Sequence, residues 1–367
     1  LLSGSLGMGH DVVAEACASS LSGRGWQCRT LDTMRLLSPG AGALGEQVFR
    51  GLLALPGAYD AFHFSQLRRG GRLARWTDAA AAARLAPRLR AELADRPVRL
   101  VVSVFATGAA VAERLKREHP GLVSAVFCTD VGVHRLWVHE GTDLFLVTSE
   151  TAACYVRRFR PEAAVAVVPA PVRAAFYDPP SQREARAALG VPPDVPCVLL
   201  MSGAWGLGPL VGSAAALAAA GVRVLAVAGR NAVLAERLRA LSARQPHVVP
   251  FGFTDRVPVL MAASDLVITA SGDTCNEARV IGRDLLLLDV VPGHGRDNLQ
   301  HELERGGAEV VSTDPATLVR AALAALSRVR RPATRVVGTP DGWEQAFTAA
   351  LARVGLADAV PVPVPVP

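Results

Sequence analysis

The stretch Val198-Leu199-Leu200-Met201-Ser202-Gly203-Ala204-Trp205-Gly206-Leu207-Gly208-Pro209 sets the fold class of this 367-residue chain. Four apolar residues in a row read as a strand buried on both faces, and the glycines behind them as a tight turn that lets backbone approach a ligand. A helical pattern opens at Leu207. The unit is thus strand, turn and helix N-terminus, suited to cradling a pyrophosphate with backbone N–H groups. Its spacing Gly203-x-x-Gly206-x-Gly208 departs from the dinucleotide-cofactor fingerprint. The next strand ends Val227-Ala228-Gly229-Arg230, with no acid for a ribose diol, and Arg230 suits a phosphate better.

Outward from that turn, short apolar runs alternate with longer helical patterns, the sequence form of parallel α/β domains. Upstream the strand candidates are residues 27–31, 100–105, 123–128, 144–148 and 165–168. Downstream they are 198–202, 222–228, 247–250, 266–269, 285–289 and 309–312. Pro169-Ala170-Pro171-Val172, then Asp178-Pro179-Pro180 before a helix start at Ser181, separates the two series. The spacing predicts one domain over 1–172, a second over 173–340 and a helix within 341–355. The Pro-Val alternation at 356–367 cannot pack as helix, and that tail is expected to be disordered. Two such Rossmann-like, doubly wound domains make a cleft between the carboxyl ends of their strands, where open α/β sheets bind ligands.

Three further turns carry candidate chemistry. Ser3-Gly4-Ser5-Leu6-Gly7-Met8-Gly9-His10 leads into a helix over 11–21 and holds His10 where it can accept a proton; a structural histidine in a Gly-rich turn is the alternative. Thr269-Ala270-Ser271-Gly272-Asp273-Thr274-Cys275-Asn276-Glu277 pairs hydroxyls and N–H groups fit for phosphate with a carboxylate, Glu277, that can reach a diol. Thr274 to Glu277 also has capping-box spacing, which leaves a purely structural role open. Val291-Pro292-Gly293-His294-Gly295-Arg296-Asp297-Asn298 is a polar loop able to bind sugar hydroxyls, as well as an ordinary surface loop.

Composition narrows the chemistry. Among 39 basic residues the one lysine, Lys116, sits in a helical pattern with no glycine loop before it, which leaves a Walker loop or a Schiff-base enzyme without its lysine. The six cysteines form no CxxC pair, so neither zinc nor a disulfide framework is signalled and a reducing cytoplasm fits. No apolar run approaches the roughly 18 residues of a membrane span, and no leader is visible. Residues 1–172 hold 20 basic and 15 acidic side chains, against 19 and 18 in the rest. The excess gathers at 66–99, where nine arginines face three acids beside Phe62, Phe64 and Trp76. That stretch reads either as a solvated helix face or as contact with an anionic membrane; no nucleic-acid motif accompanies it.

Taken in order, the four turns and the segment Thr129-Asp130 through Val133-His134-Arg135-Leu136-Trp137-Val138-His139 resemble the monogalactosyldiacylglycerol synthase and processive diacylglycerol glucosyltransferase group. This is glycosyltransferase family 28, and the resemblance covers nearly the whole chain. It implies the GT-B fold and inverting transfer of a hexose from a UDP-sugar to a lipid hydroxyl such as that of diacylglycerol. In that reading His10 is the general base, with Gly9, Asp130, His134 and Trp137 on the acceptor side. The donor would be held by Gly203, Ala204, Trp205, Gly206, Gly208, Arg230, Phe253, Ser271, Gly272, Asp273, Thr274, Glu277, His294 and Asn298. No cofactor is implied beyond the UDP-sugar itself, and no metal, since no Asp-x-Asp triplet occurs to clamp a diphosphate. Localisation would be peripheral, on the inner face of the cell membrane. Two features depart from the family pattern. The glycine turn before Thr274 is one residue shorter, and His294-Gly295 stands where the family carries the Gln-Glu that holds the sugar. A UDP-sugar or lipid-binding protein without efficient transfer, or a transferase acting on a non-glycerolipid acceptor, is the alternative. A UDP-sugar 2-epimerase finds no matching carboxylate cluster.

Overall fold

The computed structural model describes residues 1–4, 9–37, 56–94, 98–328 and 336–356. Of the first glycine turn, residues 5–8 lie outside the described residues, as do 95–97 of the arginine-rich stretch and 357–367 of the Pro-Val tail. The chain divides into two compact units: Leu1–Pro171 with the residues from Asp341 on, and Val172–Pro340.

The first unit carries a six-stranded parallel sheet in the order β2-β1-β3-β4-β5-β6. These strands are β1 Leu2–Ser3, β2 Leu31–Asp32, β3 Leu100–Ser103, β4 Val123–Phe127, β5 Leu144–Val147 and β6 Val165–Val167. The strand expected at 27–31 shrinks to Leu31–Asp32 because its partner β1 is two residues long, with Leu2 opposite Leu31 and Ser3 opposite Asp32. The last helix, Pro340–Ala352, returns to this unit, where Trp343, Phe347 and Leu351 join Val13, Cys17, Val102 and Phe127 in one core.

The second unit's sheet runs β12-β11-β10-β7-β8-β9, again all parallel. Its strands are β7 Cys197–Met201, β8 Arg223–Val227, β9 Val248–Phe251, β10 Leu266–Thr269, β11 Asp284–Leu288 and β12 Ala308–Val311. Val198, Leu200, Ala226 and Ile268 face one core, while Leu199, Met201, Val227 and Val267 face another. A sheet covered on both faces accounts for strands that read as unbroken apolar runs. The helix expected from Leu207 begins at Leu210 instead. Gly206 and Gly208, at φ +58° and +89°, hold left-handed backbone that an α-helix cannot contain.

Candidate functional site

In the second unit, parallel pairing sends every strand's carboxyl end to one edge of the sheet, and five candidate segments leave from that edge. Gly203–Gly208 follows β7, Arg230 follows β8, Phe253 follows β9, Ser271–Glu277 follows β10 and His294–Asn298 follows β11. The strand order reverses between β7 and β10, the switch point where open α/β sheets bind ligands. The glycine turn is locked from behind. Arg230 N donates to Ala204 O at 2.7 Å and Asn231 Nδ2 to Trp205 O at 3.2 Å. A Cβ on Gly229 (φ +60°) would stand 2.4 Å from Ala204 O, so only glycine admits this approach.

Around that turn the donor candidates divide. Arg230 lies with its guanidinium 4.8 Å from the ring centre of Phe253, whose side chain is exposed. Ser271 is buried and its hydroxyl donates to Gly295 O at 2.8 Å, tying the third motif to the fourth. His294 and Asn298 occupy the first turns of the helix His294–Glu304, so this motif is a helix start rather than a loop. Glu277 forms no capping box: the helix Asp273–Ile281 is entered from Gly272 without a side-chain cap. Its carboxylate is buried and takes a 2.8 Å bond from Arg173. Burial pushes this carboxyl up to about 7, against the pull of Arg173.

The first unit places its own set at the equivalent edge, where the order reverses between β1 and β3. His10 is the second residue of the helix Gly9–Gly23, and its Nδ1 donates to Val104 O at 2.7 Å. A carbonyl only accepts, so Nδ1 is the donor of this bond, and in the tautomer that places its proton there the lone pair lies on Nε2. Thr129 Oγ1 lies 3.4 Å from the same Nδ1. The Phe105 ring meets His10 edge-on at 5.1 Å, and Trp137, buried in the turn Arg135–Trp137, lies 6.4 Å from His10 and 6.1 Å from His134. Gly4 is required here, since a Cβ at that position would come within 2.6 Å of the Phe105 ring. Asp130 is half-buried in the same loop after β4.

Solved structures match over nearly the whole length of the chain. Os79 from O. sativa, in complex with U2F and trichothecene, aligns with a TM-score of 0.60 at 15% identity, over 96% of this chain and 94% of that one. Anabaena Alr3699/HepE, in complex with UDP and glucose, aligns at 0.55 and 16% identity, over 96% and 97%. The chain has the GT-B fold. No protein-family model matches it. In sequence it is related to monogalactosyldiacylglycerol synthase 1 of Arabidopsis thaliana, 30% identical over 56% of this chain and 42% of the relative. It is likewise related to the processive diacylglycerol beta-glucosyltransferase of Bacillus licheniformis, 28% identical over 50% and 49%. The aligned part spans about half the length of these relatives. A putative UDP-N-acetylglucosamine 2-epimerase from Listeria monocytogenes also matches at a TM-score of 0.55, so the GT-B fold by itself does not select the reaction.

Three residues in contact with the candidates were not singled out by sequence reasoning. Phe105 carried a findable signal, two residues past β3 at the strand-order reversal. His63, buried with its ring 6.3 Å from that of His134, lies in a π-helical turn, His63–Leu67, that no motif marks. Arg173, the partner of Glu277, lies 104 residues from it in sequence.

Proposed function

We propose that the protein is an inverting glycosyltransferase that moves a hexose from a UDP-sugar to a lipid hydroxyl, that of diacylglycerol. The observation that carries the reading is the bond between His10 Nδ1 and Val104 O, which leaves Nε2 to accept a proton at the strand-order reversal of the first unit. In the reaction, Nε2 takes the acceptor's hydroxyl proton as the oxygen attacks the anomeric carbon. The bond from that carbon to the diphosphate breaks and UDP leaves, its charge met by the N–H groups of Gly203–Gly208 and by Arg230. Glu277 takes the ribose hydroxyls and His294 and Asn298 the sugar, while Trp137 and His134 line the acceptor.

The relatives' names, galactosyl and glucosyl transfer to diacylglycerol, support the acceptor class and leave two hexoses to compare. Docking on an anionic membrane surface belongs to this proposal. Arg69, Arg72 and Arg75 are exposed around Leu73 and Trp76, at 55% and 69% exposure. Among the described residues no helix is long and apolar enough to cross a membrane. The test is to mix the protein with diacylglycerol vesicles and UDP-glucose or UDP-galactose, following UDP release and glycolipid. Release that requires both donor and lipid is expected; UDP binding without release for either donor would leave a binding protein instead.

A further inference from the structure

The turn that carries Trp137 is fastened from behind by a cluster of titratable side chains. His139 Nε2 donates to Leu136 O at 2.9 Å and lies 3.8 Å from Asp78 Oδ2, while Nδ1 lies 3.4 Å from Glu113 Oε2. A carbonyl and a carboxylate both only accept, so a ring nitrogen bonded to either one is the donor. Asp78 comes from the helix Arg72–Ala94 and Glu113 from the helix Ala106–Glu118; the three side chains are only 10% to 20% exposed. They line a cavity of about 250 Å³ together with Arg75, Arg114 and Arg135. The hydrogen bond from His139, the first cause, holds the Glu113 carboxyl down to about 2, whereas burial pushes Asp78 up to about 6 against the pull of His139. Three further bonds fix the chain just beyond: Arg160 donates to His139 O and Thr142 O at 3.2 and 2.6 Å, and Gly141 N to Glu113 Oε1 at 3.3 Å.

We propose that His139 is a positioning residue for the acceptor: gripped by Glu113 and Asp78, it holds the Leu136 carbonyl and so fixes the Arg135–Trp137 turn with Trp137 beside His10 and His134. The proposal rests on the reading of Trp137 and His134 as acceptor contacts. His139 touches no reacting atom, so its loss acts on acceptor binding rather than on proton transfer. In His139→Ala, the KM for diacylglycerol should rise about tenfold, the loss expected for one charge-assisted hydrogen bond, with the KM for UDP-sugar unchanged. His139→Gln, whose amide can still donate to Leu136 O, should recover part of that loss. A second readout needs no turnover: the indole N–H resonance of Trp137, assigned by Trp137→Phe, should shift in His139→Ala while that of Trp343 stays in place. If His139→Ala fails to fold, Glu113→Gln carries the same measurements. An unmoved Trp137 resonance, or equal losses toward donor and acceptor with a lowered Tm, overturns the proposal. A parent protein that transfers no sugar removes the proposed function, and the resonance still decides whether His139 positions the turn.

Discussion

At the scale of single residues, His10 and Glu277 carry predictions of different kind. Removing a positioned base typically slows turnover by about 100- to 10,000-fold, so His10→Ala should lose activity by about that factor. Its UDP affinity, measured by calorimetry, should stay at the parental level, because the diphosphate candidates all belong to the second unit. Parental activity would instead make Asp130 or His134 the proton acceptor. Glu277 yields a pH dependence. A ribose diol donates to the carboxylate, the form that burial disfavours until the pH passes about 7. UDP affinity should therefore fall by about tenfold from pH 8 to pH 6, beyond any change from the phosphates. In Glu277→Gln that extra slope should vanish; an unchanged slope would leave Glu277 as no more than the partner of Arg173. The same raised value favours the folded state on the acid side, and that stability is lost as pH climbs from 4.5 toward 7. His10 and Glu277 were both legible, each at a fixed place in a glycine turn. Arg173 and Val104, their hydrogen-bond partners, lie 104 and 94 residues away, and nothing local marks such partners.

Elements were legible in type and less so in their ends. Ten of the twelve strands fall on predicted apolar runs within one or two residues, because burial on both faces leaves an unbroken signal. The short β1 and β2 were the weak points, since two residues carry no period. At the amino ends of the second unit's strands, away from the candidate site, Arg186 and Asp265 form a buried 2.7 Å pair. Asp265 also accepts from Cys197 N at 2.9 Å and from Gln182 at 3.0 Å, joining the start of β7 to the start of β10. Asp265→Ala leaves the buried Arg186 guanidinium without its carboxylate, held by backbone carbonyls alone, and should cost about 3–5 kcal/mol in urea unfolding. Activity per folded molecule should be kept; a stability loss well under 1 kcal/mol would mean that water reaches Arg186.

The exposed face of the helix Arg72–Ala94 sets Arg72 and Arg75 beside Leu73 and Trp76. Arg68, by contrast, is committed inward, its guanidinium 5.1 Å from the Tyr155 ring centre and bonded to the Tyr155 hydroxyl. Replacing Arg69, Arg72 and Arg75 by Gln should weaken binding to anionic liposomes by about 1 kcal/mol per arginine at low salt, and by less as salt screens the charge. Unchanged co-sedimentation would reduce this stretch to a solvated face. The sequence by itself determined the α/β class, the two series of strands and the turns that hold the candidate site. It could do so because apolar periodicity and glycine turns are local, and a parallel sheet then carries all such turns to one edge. Only the tertiary structure decided which nitrogen of His10 is free, what Glu277 is paired with and what holds Trp137 in place. Those are contacts between residues far apart in the chain, formed when the strands are ordered side by side, and no local pattern encodes that order.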